Sequence, residues 1–205
     1  MFLSFPFLNR YICAVEEKLN MNMRHPLSFF RFCPQCGSSH FEEHEERSKK
    51  CRNCEFVYYL NAAAAVAAII INEKEEMLLC RRAYDPYKGT LDLPGGFIDL
   101  NESAEKALRR EVEEEIGAGI KTMRYFCSYP NVYPYSGFEV RTLDIFFLCT
   151  LPSNAVLVPK DDVSDLYFIS INKVNENEIK LSSIRKVVET VKHFFKKGIL
   201  LQNGE

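Results

Sequence analysis

The stretch GGFIDLNESAEKALRREVEEEIGAG, residues 95–119, restricts this chain more than any other. It reads as a helix from about Glu102 to Ile116, closed by Gly117, because glycine readily takes the left-handed conformation that ends a helix. Glu102, Glu105, Glu111, Glu113, Glu114 and Glu115 fall within fourteen residues of a chain whose net charge is only −2. At about 100° per residue, Glu111, Glu114 and Glu115 share one narrow arc with Ala104, Ala107 and Leu108. Glu105, Lys106, Arg109 and Glu113 lie opposite, with Glu105–Arg109 and Arg109–Glu113 spaced as i, i+4 ion pairs. Three acids therefore point the same way as the apolar residues. One reading is a solvated helix whose acids reach water past small alanines. The other is a site where a cation belongs, since carboxylates buried together are costly without one. Magnesium or manganese, held through carboxylate oxygens and water, is the simplest compensation.

The flanks favour the cation. Gly95-Gly96 lets the backbone approach a phosphate or another segment closely. Glu102 sits near the helix N-terminus, where a carboxylate is favoured. Arg110, beside Glu111, can hold carboxylates by a fork of hydrogen bonds. Gly96, five residues, Glu102, seven residues, then Arg110-Glu111-Val112-Glu113-Glu114-Glu115-Ile116-Gly117 resembles the Nudix box at every fixed position, with Ala118 in the final aliphatic slot. LDLPGGF, which ends at Phe97, also looks like that family's approach to the box.

The resemblance covers roughly residues 60 to 195 and implies an α/β (α+β) fold, an α/β/α sandwich around a mixed sheet. It implies hydrolysis of a nucleoside diphosphate linked to a moiety X. By that likeness Glu111, Glu114 and Glu115 hold magnesium or manganese, and Arg110 and Glu102 orient them. A base comes from the box glutamates or from an acid such as Asp161, Asp162 or Asp165. The resemblance does not choose among these.

The eight cysteines divide in two groups. Cys33-Pro-Gln-Cys36 and Cys51-Arg-Asn-Cys54 give C-x2-C-x14-C-x2-C, the spacing with which two tight turns close a tetrahedral zinc site. A closed four-thiolate site is structural. His40 and His44 lie between the pairs and offer alternative ligands. Residues 31–55 carry Arg31, Arg47, Lys49, Lys50 and Arg52 against Glu42, Glu43, Glu45, Glu46 and Glu55. These charges cancel, which argues against a nucleic-acid platform and for a structural or homodimer-forming ribbon. Cys13, Cys80, Cys127 and Cys149 are scattered in apolar runs, as expected of free thiols in a reducing, cytoplasmic compartment.

The chain then divides into an N-terminal arm or extension over 1–29, a zinc ribbon over 30–58 and a Nudix domain over 60–200. Met21 and Met23 are alternative starts. No apolar run is long enough to span a bilayer, so no membrane partner is expected. AAAAVAAIII and MLLCRRA read as two strands around a turn at Asn72–Glu76, although periodicity alone leaves a buried helix open for the first. DPYKGTLDLPGG reads as a loop, 120–129 and 138–150 as strands around a loop YPNVYPYSG, and LYFISI as a strand. Leu181, Ile184, Val187, Val188, Val191, Phe194 and Phe195 mark a packing helix.

A zinc ribbon before a Nudix box resembles the NADH pyrophosphatase group. That group carries S-Q-P-W-P-F-P-x-S after the box. Here Ser128 to Ser136 keeps both serines, two prolines and an aromatic framework, but neither the Gln nor the Trp. The substrate implied is a small nucleotide, most directly a dinucleotide such as NAD(H), with ADP-ribose or a nucleotide sugar as rivals. A noncatalytic nucleotide sensor is the rival of another class. Gly95, Gly96, Phe97, Tyr129, Tyr133, Tyr135 and Ser136 are the expected substrate contacts. The tyrosines either stack on a base or pack on their own domain.

Overall fold

The structure is a computed structural model and describes residues 25–198. Most of the expected N-terminal arm, with Cys13, Met21 and Met23, lies outside these residues. The chain forms two compact units that divide after Asn61.

The first unit holds strands β1 (Phe41–Glu45), β2 (Ser48–Cys51) and β3 (Val57–Tyr59) in one antiparallel sheet. Its core is small, with Cys33, Phe41 and Cys51 buried and Cys54, Phe56 and Tyr58 packed on them. Glu42 faces Lys50 and Glu43 faces Lys49 across the β1–β2 ladder. Such opposite-sign pairs favour this register.

The second unit contains β4 (Ala63–Ile70), β5 (Glu76–Arg82), β6 (Leu91–Asp92), β7 (Gly95–Phe97), α1 (Ala104–Ile116), β8 (Thr122–Tyr135), β9 (Phe138–Thr150), β10 (Val163–Ser170) and α2 (Ser182–Lys196). A mixed four-stranded sheet runs β7-β4-β9-β8, with β4 parallel to β9, and an antiparallel sheet runs β10-β5-β6. The alanine run is a strand. Being buried on both faces, it has no polar alternation. Its turn forms as expected, with Asn72 Oδ1 accepting from the N–H groups of Lys74 and Glu76. The two strands it joins belong to different sheets, which the local pattern does not reveal.

Val66, Ala68 and Ile70 of β4 pack with Ala107, Leu108, Val112 and Ile116 of α1. On α2, Val187, Val188, Val191 and Phe194 are buried, and Phe194 meets Phe126 of β8 edge-on at 5.9 Å. The helices cover the layers of a mixed α+β sandwich. No helix among the described residues is long and apolar enough to cross a membrane. Cys80, Cys127 and Cys149 are free and buried.

Three expectations need correction. YPNVYPYSG is no loop: it completes β8, which pairs with β9 down to Tyr135–Phe138 around Ser136 and Gly137. β8 is the sheet edge, where Pro130 and Pro134 are tolerated because an N–H facing away from the sheet is not needed. The positive φ of Ser136 and Gly137, 51° and 74°, fits a two-residue hairpin turn. DPYKGTLDLPGG contains β6 and reaches the first residues of β7. Arg109 makes neither expected ion pair and donates to the Ile120 carbonyl at 2.8 Å.

Gly95 shows how tightly β7 lies on β4. Its φ is 151°, and a Cβ there would sit 2.1 Å from the Val66 carbonyl oxygen. Backbone cannot yield without opening the β4–β7 ladder. Gly95→Ala is expected to lower unfolding free energy by about 3 kcal/mol or more, measured by urea denaturation. A loss under about 0.5 kcal/mol, the scale of an ordinary surface change, contradicts this packing.

Candidate active site

Helix α1 is set by its ends. The Ser103 hydroxyl accepts from the Lys106 N–H, and Gly117, at φ 70°, donates to the Glu113 carbonyl. This start, at Ala104, lies two residues beyond the expected one, and it leaves Glu102 just outside the helix. From there the Glu102 carboxylate takes two hydrogen bonds from Arg110, at 3.2 and 2.9 Å.

Arg110 also donates to Glu111 at 2.8 Å, to Glu114 at 3.1 Å and to the Phe97 carbonyl at 3.1 Å. A guanidinium has five N–H donors, and each has a partner here. Its neighbouring carboxylates raise the Arg110 pKa, and Arg110 in turn lowers that of Glu102.

The three glutamates of one arc have graded exposure. The Glu114 side chain is 48% exposed, that of Glu111 15%, and Glu115 as a residue only 7%. Glu115 Oε2 accepts the Gly95 N–H at 2.8 Å. Gly96 leaves the space that Glu111 fills: a Cβ there would lie 2.6 Å from its carboxyl group. Burial pushes Glu115 up to about 9, with the charges of Asp92, Glu111 and Asp162 adding to it and the Gly95 N–H opposing. Burial raises Glu111 as well, against the pull of Arg110.

Among the described residues, only the four cysteines bring three or more ligand atoms within 4.8 Å of one another. The glutamates form an open set with Arg110 among them. Magnesium suits such a set, because it keeps several waters and needs few carboxylates.

The segment before β10 is tied to the end of α1. Val158 N–H bonds the Ile116 carbonyl and Lys160 N–H the Glu115 carbonyl, at 3.0 and 2.9 Å. Both carbonyls would otherwise be unsatisfied at a helix end. Asp161 and Asp162 thereby line the same cavity, of about 170 Å³, as Glu111 and Glu115. Asp165 does not line it; it lies in β10 and accepts from Ser164.

Gly95, Gly96, Phe97 and Tyr133 line the cavity; Tyr129, Tyr135 and Ser136 do not. Tyr129 bonds Thr190 of α2 at 2.9 Å, packing on its own domain. Tyr135 is exposed and stacks on Tyr133 with ring centres 6.5 Å apart, and Phe97 meets Tyr133 edge-on at 5.7 Å. Ser136 occupies the hairpin turn.

Sequence reasoning missed Arg82. It donates to Asp92 at 2.8 Å, to the Tyr133 hydroxyl at 2.9 Å and to the Pro86 carbonyl at 2.8 Å. Burial raises Asp92 above the usual carboxylate range even beside this cation. Asn131, Thr142 and Asp144, also missed, line the cavity from the sheet. The usable signal was the alternation Ala63, Ala65, Ala67, which leaves one face of β4 without bulk.

In the first unit the Sγ atoms of Cys33 and Cys54 are 3.7 Å apart and those of Cys36 and Cys51 3.6 Å. Tetrahedral zinc with bonds of about 2.3 Å places sulfurs about 3.8 Å apart, so the cluster is compatible with zinc. The two CxxC turns match: Gly37 N–H bonds the Cys33 carbonyl and Glu55 N–H the Cys51 carbonyl, both residues at positive φ. The Ser38 N–H is the main cause that lowers the Cys36 thiol to about 6. Neither His40 nor His44 joins the cluster.

Residues 61–190 match the NUDIX domain. The chain belongs to the Nudix family. Its relatives include the NAD-capped RNA hydrolase NudC of Haemophilus influenzae (strain PittGG), 27% identical over 155 residues that make up 75% of this chain and 56% of that protein. The NAD-capped RNA hydrolase NudC of Vibrio parahaemolyticus is 31% identical over 112 residues, 55% of this chain and 42% of that one. The chain thus spans about half the length of these Nudix relatives. Among solved structures, the NUDIX hydrolase from Nitrosomonas europaea superposes with a TM-score of 0.63 at 24% identity, over 82% of this chain and 93% of that one. The NUDIX domain of Shewanella oneidensis NrtR, complexed with ADP ribose, gives 0.54 at 20% identity, over 67% and 90%. These likenesses show the Nudix fold.

The raised Glu115 has a consequence for stability. Unfolded, its carboxyl titrates near the ordinary value of about 4.3. The folded state holds the proton more tightly, so this contribution is full below about pH 4 and is lost as pH rises toward 9. Without divalent metal, the unfolding temperature is expected to fall across that window, and Glu115→Gln to flatten the fall. Parallel pH profiles for the two proteins contradict the assignment.

Proposed function

We propose that this protein hydrolyses the pyrophosphate bond of a nucleoside diphosphate-linked substrate, a dinucleotide such as NAD(H), giving NMN(H) and AMP. The observation that carries the reading is the arrangement around Arg110: one guanidinium fixes Glu102, Glu111 and Glu114 beside a cavity into which the buried Glu115 also faces. So many carboxylates against two arginines, Arg110 and the Asp92-paired Arg82, call for more positive charge. Glu111, Glu114 and Glu115 would hold magnesium or manganese, oxygen donors being the set these ions prefer. When bound, the metal supplies charge neutralisation at the pyrophosphate and a lower pKa for water.

The remaining work falls to the chain. Arg110 and Glu102 hold the glutamates in place, and the Gly95 N–H holds Glu115. Gly96, without a side chain, lets the Glu111 carboxylate lie against the backbone at the cavity. Arg82, with two of its five N–H donors free of the bonds to Asp92, Tyr133 and Pro86, faces the pyrophosphate. The attacking water loses its proton to a carboxylate of the set formed by the box glutamates, Asp161 and Asp162. Phe97 and Tyr133 wall the cavity with aromatic surface.

ADP-ribose and nucleotide sugars present the same bond and are the second reading. An NAD-capped RNA, the substrate in the relatives' name, presents it too. The ribbon's charges neutralise one another, Arg52 with Glu42 and Lys50 with Glu55, so a small nucleotide is the proposed partner. A noncatalytic sensor has no need of the full carboxylate set.

We assign structural zinc to Cys33, Cys36, Cys51 and Cys54. Chelation is expected to release zinc and collapse the amide dispersion of residues 30–58 in an NMR spectrum. A spectrum unchanged after the metal is gone contradicts this. For the reaction, Glu114→Gln is expected to lower metal-dependent turnover by about a hundredfold or more with the unfolding temperature kept. Turnover equal to wild type would sink the proposal.

A further inference from the structure

The cavity has a second end that the chemistry above does not use. Ala63, Ala65 and Ala67 of β4 lie beside Thr142, Asp144 and Phe146 of β9 in parallel register. Across β9, Asn131 of β8 faces Thr142 directly, with Asp144 diagonal to it. Side chains alternate along a strand, so these residues share one face, the face that α2 covers. The alanines give that face a floor without bulk, and the polar groups stand around it.

Asn131 and Asp144 are each only 7% exposed, yet both line the cavity. Asp144 accepts from the hydroxyls of Thr142 and Ser183. A carboxylate has about four lone-pair sites, so capacity remains. Asn131 Oδ1 accepts from the Ser182 hydroxyl at 3.0 Å. Its Nδ2 has no hydrogen-bond partner among the described residues and is not among their fully buried unpaired polar atoms, so the amide donor is open to the cavity. The cavity therefore presents a donor and an acceptor side by side, with Leu181 and Ile184 as apolar neighbours.

We propose that Asn131 and Asp144 form a base-reading subsite that recognises a neutral edge carrying an N–H donor beside an acceptor. This inference deepens the proposed hydrolysis and rests on it. With a metal held by the glutamates, the charge layout would orient the substrate. A phosphate is repelled by Asp144 and drawn to the end with Arg82 and the metal-holding glutamates. A neutral heterocycle suits the other end. The amino group and ring nitrogen of adenine present such an edge, and so does the carboxamide of nicotinamide.

The competing account is purely structural: these groups tether α2 to the sheet through Ser182 and Ser183. Ligand selectivity separates the two. Binding would be measured by calorimetry with magnesium, comparing AMP with IMP and NMN with nicotinic acid mononucleotide. IMP exchanges the donor and acceptor positions of the AMP edge, and nicotinic acid mononucleotide replaces the amide donor by an anionic acceptor that Asp144 repels. The wild type is expected to favour the amino or amide member of one pair by roughly tenfold to a hundredfold, the scale of a lost base-edge contact. The pair that discriminates names the base.

Asn131→Asp and Asp144→Asn are near-isosteric and each is expected to shrink that preference below about threefold, with NADH hydrolysis assayed in parallel. Asn131→Asp keeps the acceptor for Ser182, so it carries the test if Asp144→Asn does not fold. Equal binding within both pairs, or variants that keep the wild-type preference, overturns the inference. NADH cleavage without such discrimination leaves the proposed hydrolysis standing and removes the subsite. Discrimination without cleavage does the reverse, and neither binding nor cleavage overturns both.

Discussion

The contacts of Arg110 hold the candidate site together. Glu102, Glu111 and Glu114 would repel one another if left alone in so small a space. Arg110 places a delocalised charge among them and spends all five donors, four on carboxylates and one on the Phe97 carbonyl. The last bond ties α1 to β7. A lysine ammonium has only three donors and no planar fork, so it could not replace this geometry. The same residue therefore sets helix position, strand position and carboxylate orientation.

Around that hub the backbone does as much as the side chains. Gly95 and Gly96 do different jobs: one lets β7 lie against the Val66 carbonyl, the other makes room for Glu111. The segment that bonds the last carbonyls of α1 carries Asp161 and Asp162 to the cavity. Negative charge gathers where α1, β7 and this segment meet, and Arg82 stands in the same cavity. An anionic substrate with its metal would complete that balance, whereas a purely structural site has no use for leaving Glu115 buried and short of cations.

What could be read from the sequence was whatever depends on neighbours a few residues apart. Arg110, Glu111, Glu114 and Glu115 are set by helical spacing and Glu102 by its place just before the helix, and the structure does bring Glu102, Glu111 and Glu114 onto Arg110. The cysteine pairs are legible for the same reason. The tyrosine segment was not. Pro130 and Pro134 argue for a loop unless β8 is known to be an edge, and edge status depends on pairing with distant residues. Tyr129 then turns toward α2, which no local pattern signals. Arg82, Asp92 and Tyr133 come from three strands and have no shared spacing. The solvated-face ion pairs of Arg109 failed because a carbonyl at Ile120, beyond the helix end, was the nearer partner.

The most direct measurement is incubation of the purified protein with NADH and Mg2+ or Mn2+, with products separated by chromatography. NMNH and AMP are expected in equal amounts, formed only with divalent metal. A folded, zinc-loaded protein that leaves NADH, ADP-ribose and nucleotide sugars all intact would contradict the proposed hydrolysis.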